Sequence, residues 1–192
     1  MAKIVVSENM TLDGVVEDPT GEEGFRHGGW FNQIGDGDRA AWAKEGLDEA
    51  LGAEAFLLGR RSYEYLAARW PSRTGEWADR LNGMPKYVVS STLTAPEWNN
   101  STVLEGGVVD AVAGLRQDLD GEIVVAASRQ LVPTLFEHHL VDELRLFVFP
   151  HVLGAGERLF GATSDARSLR LRETRTVGEG LAHLSYEVVR TT

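Results

Sequence analysis

What most constrains this chain is the alternation of short apolar runs with segments of helical spacing. Residues 55–58 (AFLL) end at Gly59, and a stretch that reads as a helix follows at once. The pattern predicts strands over 3–12, 54–58, 86–91, 101–106, 122–128 and 140–150, and helices over 38–51, 61–68, 76–82 and 108–119. Trp42, Leu47 and Leu51 recur at helical intervals behind Asp38, a candidate N-cap. Residues 169–177 and 181–190 read as an antiparallel hairpin about Gly178 and Gly180. Strands that alternate with helices and then occur alone specify an α/β fold. Its central sheet is mostly parallel, joined by right-handed crossovers and flanked by helices, with a C-terminal antiparallel hairpin. Residues 17–37 are rich in glycine and acid, with Trp30 and Phe31 embedded, and read as a long irregular loop of the kind that often carries function.

At 192 residues and 43% hydrophobic content the chain is expected to form a single domain, 1–192, with a sizeable core. No apolar run approaches the ~20 residues that span a bilayer. The first residues are too short a run for a secretory signal, and without cysteine there is no disulfide framework and no thiol chemistry. The expected location is the cytoplasm, with no membrane partner. A formal net charge of −10 argues against nucleic acid as a partner, because phosphate-backbone binding needs a basic face. The same charge gives weight to Arg60 and Arg61, two adjacent cations behind a buried strand. A small anion fits such a spot; a polymer does not.

Ligands in sheets of this kind bind beyond the carboxyl ends of strands. Three such ends are polar or glycine-rich: GRRS (59–62), SST (90–92) and AASRQ (126–130). Gly59 permits close backbone approach, the arginines can fork onto phosphate oxygens, and Ser62 stands where a helix start favours an anion. The plainer reading is a capping serine beside two solvated arginines. Ser90, Ser91 and Thr92 could hold a second phosphate, or could form an ordinary Ser/Thr turn before Pro96. No Rossmann fingerprint, P-loop or G-x-S-x-G is present, and the histidines (His27, His138, His139, His151, His183) lack metal-ligand spacing, so no metal is expected.

Four motifs in order, MTLDGVV (10–16), LLGRRSYE (57–64) with RWP (69–71), KYVVSSTL (86–93) with Trp98, and LVDELRLFVFPHVLGAGERLF (140–160), resemble the dihydrofolate reductase-like superfamily. The nearer likeness is to the reductase domain of riboflavin-pathway deaminase–reductases. That resemblance implies NADPH as cofactor and a homodimer. It implies that Gly59, Arg60, Arg61 and Ser62 grip cofactor phosphates and that Ser90, Ser91 and Thr92 meet the adenosine 2′-phosphate. It also implies that the turn at Ala126, Ala127 and Ser128, continuing through Arg129, Gln130 and Leu131, passes against the pyrophosphate. There the family usually has Gly-Gly or Gly-Ser, whereas alanine adopts positive φ only at a cost of roughly 1 kcal/mol or more. Pro133 fits the first turn of a helix, which places that helix start beyond Ser128.

The implied activity is hydride transfer to a C=N or C=O of a small heterocyclic or sugar-like substrate. Asp13 is the candidate proton donor, although Asp13-Gly14 is also an ordinary turn; Asp38 could play the same role but reads better as a helix cap. Trp30 and Phe31 could wall the substrate pocket or pack the loop onto the core. Glu45, Asp48 and Glu49 match no folate-binding position, and a chain without cysteine carries no deaminase zinc motif. The competing reading is a non-catalytic nucleotide- or metabolite-binding module on the same fold. Residues 144–149 (LRLFVF) offer apolar groups on both strand faces, one of which a second copy could cover, unless this is an ordinary central strand.

Overall fold

The computed structural model describes residues 1–161 and 166–189. Eight strands form one sheet: β1 (Lys3–Thr11), β2 (Ala53–Gly59), β3 (Lys86–Val89), β4 (Ser101–Leu104), β5 (Glu122–Ala126), β6 (Glu143–Phe149), β7 (Leu169–Val177) and β8 (Leu181–Val188). Their order is β4-β3-β2-β5-β1-β6-β8-β7. The helices are α1 (Asp36–Gly52), α2 (Arg60–Ala67), α3 (Glu76–Gly83), α4 (Val108–Asp118) and α5 (Val132–Glu137). The expected α/β class and the closing antiparallel hairpin are both present; residue 190, the last of the expected second hairpin strand, lies outside the described residues. The chain divides into two compact units, one of residues 1–6 and 46–142 and the other of residues 7–45 and 143–192.

In the first unit β2 pairs in parallel with β3 and with β5, and β3 pairs in parallel with β4. A strand between two parallel neighbours is buried on both faces, which is why residues 55–58 are all apolar. Phe56, Leu58, Val88 and Val124 share one core with Tyr63, Trp70, Ala78, Leu81, Met84 and Trp98. Helix α5 starts at Val132 with Pro133 in its first turn, as the proline requires.

In the second unit β6 and β7 each pair antiparallel with β8. Trp30, Ile34, Phe147, Phe149, Val177 and Leu181 form its core. The loop of residues 17–35 is irregular, as expected, apart from one 3-10 turn at Trp30–Gln33. Helix α1 begins two residues before the expected start, so Asp38 lies inside its first turn and is not the cap. Its carboxylate instead accepts the N–H groups of Glu179 (2.6 Å) and Gly180 (3.2 Å) in the β7–β8 turn. The strand of residues 143–149 is the ordinary central strand of the two alternatives. Leu144, Leu146, Phe147, Val148 and Phe149 are all buried within the chain, so β6 offers no free face to a second copy. The exposed apolar side chains of this unit's sheet are instead Leu169 (36%) and Leu171 (50%) on β7.

Gly46 shows how tightly the first core is closed. A Cβ there would meet Trp77 ring carbons at 2.5 and 2.7 Å. Gly46→Ala gains helix propensity of up to ~1 kcal/mol but forces the indole aside. The expected net result is a destabilisation of about 1–2 kcal/mol, as for overpacked cores. Urea unfolding followed by Trp fluorescence measures it; a more stable variant would mean that Trp77 moves freely.

Candidate functional site

The register of the first unit brings the three polar strand ends together. Gly59 stands opposite Val89, and Leu57 stands opposite both Tyr87 and Val125. The chain therefore leaves β3, β2 and β5 along one edge, with Ser90–Thr92, Gly59–Ser62 and Ala126–Leu131 as neighbours.

Several of these groups are bonded to one another along the edge. Gly59 N–H donates to Ser128 Oγ (3.0 Å), and the same hydroxyl donates to Ala126 O (2.8 Å). Ser62 Oγ donates to Ala127 O. Ser128 O accepts from the N–H groups of Leu131 (2.8 Å) and Val132 (3.0 Å), and Leu131 itself is buried. Ser90 Oγ accepts from Thr92 N–H (3.1 Å) and Leu93 N–H (2.9 Å), the Ser/Thr turn of the plainer reading. The amides of Gly59 and Leu131 and the hydroxyl protons of Ser62 and Ser128 are thus already committed.

Other groups are not. Arg60 pairs with Glu64 one helical turn on (3.0 Å), both side chains being about half exposed. Such a pair contributes only about 0.3–0.5 kcal/mol and yields readily to a phosphate. Arg61 is exposed and, among the described residues, has no hydrogen-bond or ion-pair partner. Ser91, Thr92 and Gln130 are exposed, and Arg129 is half-buried with partners of its own.

Ala127 settles what the missing glycines mean for the backbone. Its φ is +47°, so the turn does take the left-handed conformation, in an alanine. Ser62 and Ser128, bonded on either side of it, supply the restraint. Non-glycine strain of this kind persists where its surroundings over-determine it, and it concentrates at functional sites.

The second unit holds the remaining candidates. Asp13 accepts from Thr11 Oγ1 (2.6 Å), Leu153 N–H (3.3 Å) and Gly154 N–H (2.9 Å). The Thr11 hydrogen bond, with help from the two amides, holds its carboxyl below the usual range. This suits a turn clamp better than a proton donor. Trp30 is fully buried, donates Nε1–H to Glu17 O (3.0 Å) and meets Phe149 edge-on at 5.2 Å, so it packs the loop onto the core and has no surface for a substrate. Phe31 is only half-buried, against Trp42 and Phe149.

The sequence reading missed Asp18 and gave Glu45 and His183 no role. Burial by itself would raise Asp18, yet its carboxyl is lowered by the N–H groups of Glu23 and Phe25 (3.0 Å each), around which the loop folds. Glu45 is lowered chiefly by the Arg175 guanidinium, which it binds through both oxygens. Burial, and then Arg175, lowers His183. The signal for His183 was its place in β8: with Leu181 and Ser185 it shares the alternating buried face.

A family model described as the RibD C-terminal domain matches residues 2–183. The uncharacterized protein YyaP of Bacillus subtilis (strain 168) is 26% identical over 190 residues, covering 96% of this chain and 94% of that protein. A structure from Shewanella sp. PV-4, described as a candidate riboflavin biosynthesis protein, superposes with a TM-score of 0.71 at 21% identity over 99% of this chain and 100% of that one. A pyrimidine reductase-like protein from Corynebacterium diphtheriae superposes with a TM-score of 0.66 at 13% identity, over 99% and 93% respectively.

Two outcomes follow. Ala127→Gly removes the left-handed penalty but loosens the unfolded chain; the expected net is a stabilisation of about 0.5–1 kcal/mol in urea melts, and a loss would show that the methyl packs. Acid titration of stability should show two steps. His183 has a lowered folded pKa, so its contribution is complete above about 6.5 and fades as pH falls through that value. The lowered carboxyls of Asp13, Asp18 and Glu45 contribute above about 4 and fade below it. His183→Gln should abolish the first step and keep the second.

Proposed function

The chain belongs to the RibD C-terminal domain family, and on that premise we propose that it is an NADPH-dependent reductase acting on a C=N or C=O bond of a small heterocyclic or sugar-like substrate. One observation carries the reading. Because β2 pairs in parallel on both sides, Arg61, unpartnered among the described residues, the exposed hydroxyls of Ser91 and Thr92, and the left-handed turn at Ala127 share one edge of the first unit. In a chain of net charge −10, an uncompensated cation beside free hydroxyls suits a phosphate-bearing ligand.

The residues fit the dinucleotide. Arg61, joined by Arg60 once it leaves Glu64, would neutralise phosphate charge. Ser91 and Thr92 would donate hydrogen bonds to the 2′-phosphate. Ser62 and Ser128 hold the Ala127 turn in shape, which makes them positioning residues. When bound, NADPH would supply the hydride, leaving NADP⁺ and a reduced substrate that has gained one proton. The clamp on Asp13 favours an ordered water as the source of that proton, with Asp13 fixing the turn. The same clamp is what favours the rival reading, a nucleotide- or metabolite-binding module without catalysis. A homodimer belongs to the proposal as well; its support is the apolar pair Leu169 and Leu171 on β7, not β6.

Calorimetric titration tests the reading. NADPH should bind in the micromolar range and more tightly than NADH. Arg61→Ala should weaken NADPH about tenfold or more, the loss expected when a charge-assisted hydrogen bond worth ~1.5–3 kcal/mol is removed. Ser91→Ala combined with Thr92→Ala should weaken NADPH and spare NADH. Equal losses for the two dinucleotides would move the 2′-phosphate elsewhere, and no binding to wild type would end the reductase reading. Binding without NADPH oxidation across a panel of heterocyclic and sugar-like acceptors would favour the binding module.

A further inference from the structure

Lys86 opens β3 and is fully buried. Its Nζ donates to Met84 O (2.8 Å) and Asn99 O (2.8 Å), lies 3.4 Å from Asn82 O, and stands 4.3 Å from the centre of the Trp98 ring. Among the described residues no carboxylate pairs with it. Carbonyl dipoles and a ring face hold this cation, the hydrogen-bonded arrangement a buried charge requires. Burial pushes the ammonium down to about 8, which leaves it mostly charged at neutral pH.

The partners belong to two pieces of chain. Asn82 and Met84 lie at the C-terminal end of α3, where carbonyls lack helical partners. Trp98 and Asn99 lie at the far end of the loop that joins β3 to β4. The surrounding bonds make the same join: Trp98 Nε1 donates to Asn82 Oδ1 (2.7 Å), Asn100 Nδ2 to Gly83 O (2.7 Å), and Lys86 N–H to Asn100 O (2.8 Å). Trp98 N–H donates to Tyr63 Oη (2.9 Å), and Tyr63 sits on α2 directly behind Arg60, Arg61 and Ser62. Residues 98–100 are therefore pinned from α2, α3 and β3 together. Residues 94–97 have no regular structure and join this anchor to the Ser90 turn, which carries the exposed hydroxyls of Ser91 and Thr92 and whose Leu93 packs on the first core.

We propose that Lys86 is a positioning residue for the dinucleotide: its buried ammonium fixes the Trp98–Asn100 anchor and thereby sets Ser91 and Thr92 relative to the arginines of α2. The role rests on the reading of this edge as an NADPH site. An apolar residue of the same length could fill the space but would leave the carbonyls of Met84 and Asn99 without donors, so the anchor depends on the charge and its hydrogens, not on bulk.

Lys86→Met tests it, with NADPH and NADH titrated in parallel and hydrogen exchange followed along 86–104. The expected result is NADPH affinity about tenfold lower, NADH affinity changed less than twofold, and faster exchange in residues 90–100 with β2 and β5 unchanged. A merely structural lysine would lower the melting temperature and leave the ratio of the two affinities as it was; that outcome overturns the role while the reductase reading stands. Wild-type protein that binds neither dinucleotide overturns both. Should Lys86→Met fail to fold, Asn100→Ala cuts one bond of the same anchor outside the ammonium. It should shift the NADPH-to-NADH ratio in the same direction by about threefold, and an unchanged ratio again overturns the role.

Discussion

The parallel pairing of β2 with β3 on one side and β5 on the other is the constraint from which the candidate site follows. Parallel strands must all leave the sheet at the same edge, so whatever chemistry follows β2, β3 and β5 is gathered there whatever its separation in sequence. The interior of β2 can then be wholly apolar, and the polar residues must begin where the strand stops. The abrupt change from AFLL to GRRS is the sequence form of that boundary. It is also why two cations can stand side by side there: the edge is open, so Arg60 pairs with Glu64 at the surface and water solvates Arg61.

The second unit uses charge differently. Asp13 collects amides from Leu153 and Gly154, Asp18 from Glu23 and Phe25, and Asp38 from Glu179 and Gly180. Each aspartate closes a turn by accepting two backbone N–H groups, bonds that gain strength from the ionised acceptor. Part of the excess of acid over base is therefore structural. At Asp13 and Asp18 the bonded groups hold the carboxyl below its usual range, which is the opposite of what a proton donor needs.

The sequence disclosed the strands because their β-branched runs are short and bounded. It disclosed the adjacency of 59–62, 90–92 and 126–130 because the α/β alternation implies parallel order. It could not separate an exposed, unbonded hydroxyl from one that ties two loops. Ser128 and Ser91 look alike as letters; Ser128 became a strut only once Gly59 N–H was found against its Oγ. Trp30 was ambiguous for the same reason, since a tryptophan on a long loop can roof a pocket or plug a core, and the aromatic partner Phe149 that decides it lies far along the chain. Lys86 was legible in principle. It alternates with Val88 on the buried face of β3, and a lysine in that register has to find acceptors.

Ala127 joins these threads. A left-handed alanine at an exposed turn is costly, and glycine would remove the cost, so the turn must be held from outside. Ser62 from α2 and Ser128 from the turn itself do that, one bonding Ala127 O and the other Ala126 O. The departure from the glycines that such turns usually carry is therefore compensated in shape: the backbone follows the left-handed path, and two hydroxyls take over the part that glycine's freedom would have played. What alanine adds is an exposed methyl group at a turn on the same strand edge as Arg61, Ser91 and Thr92.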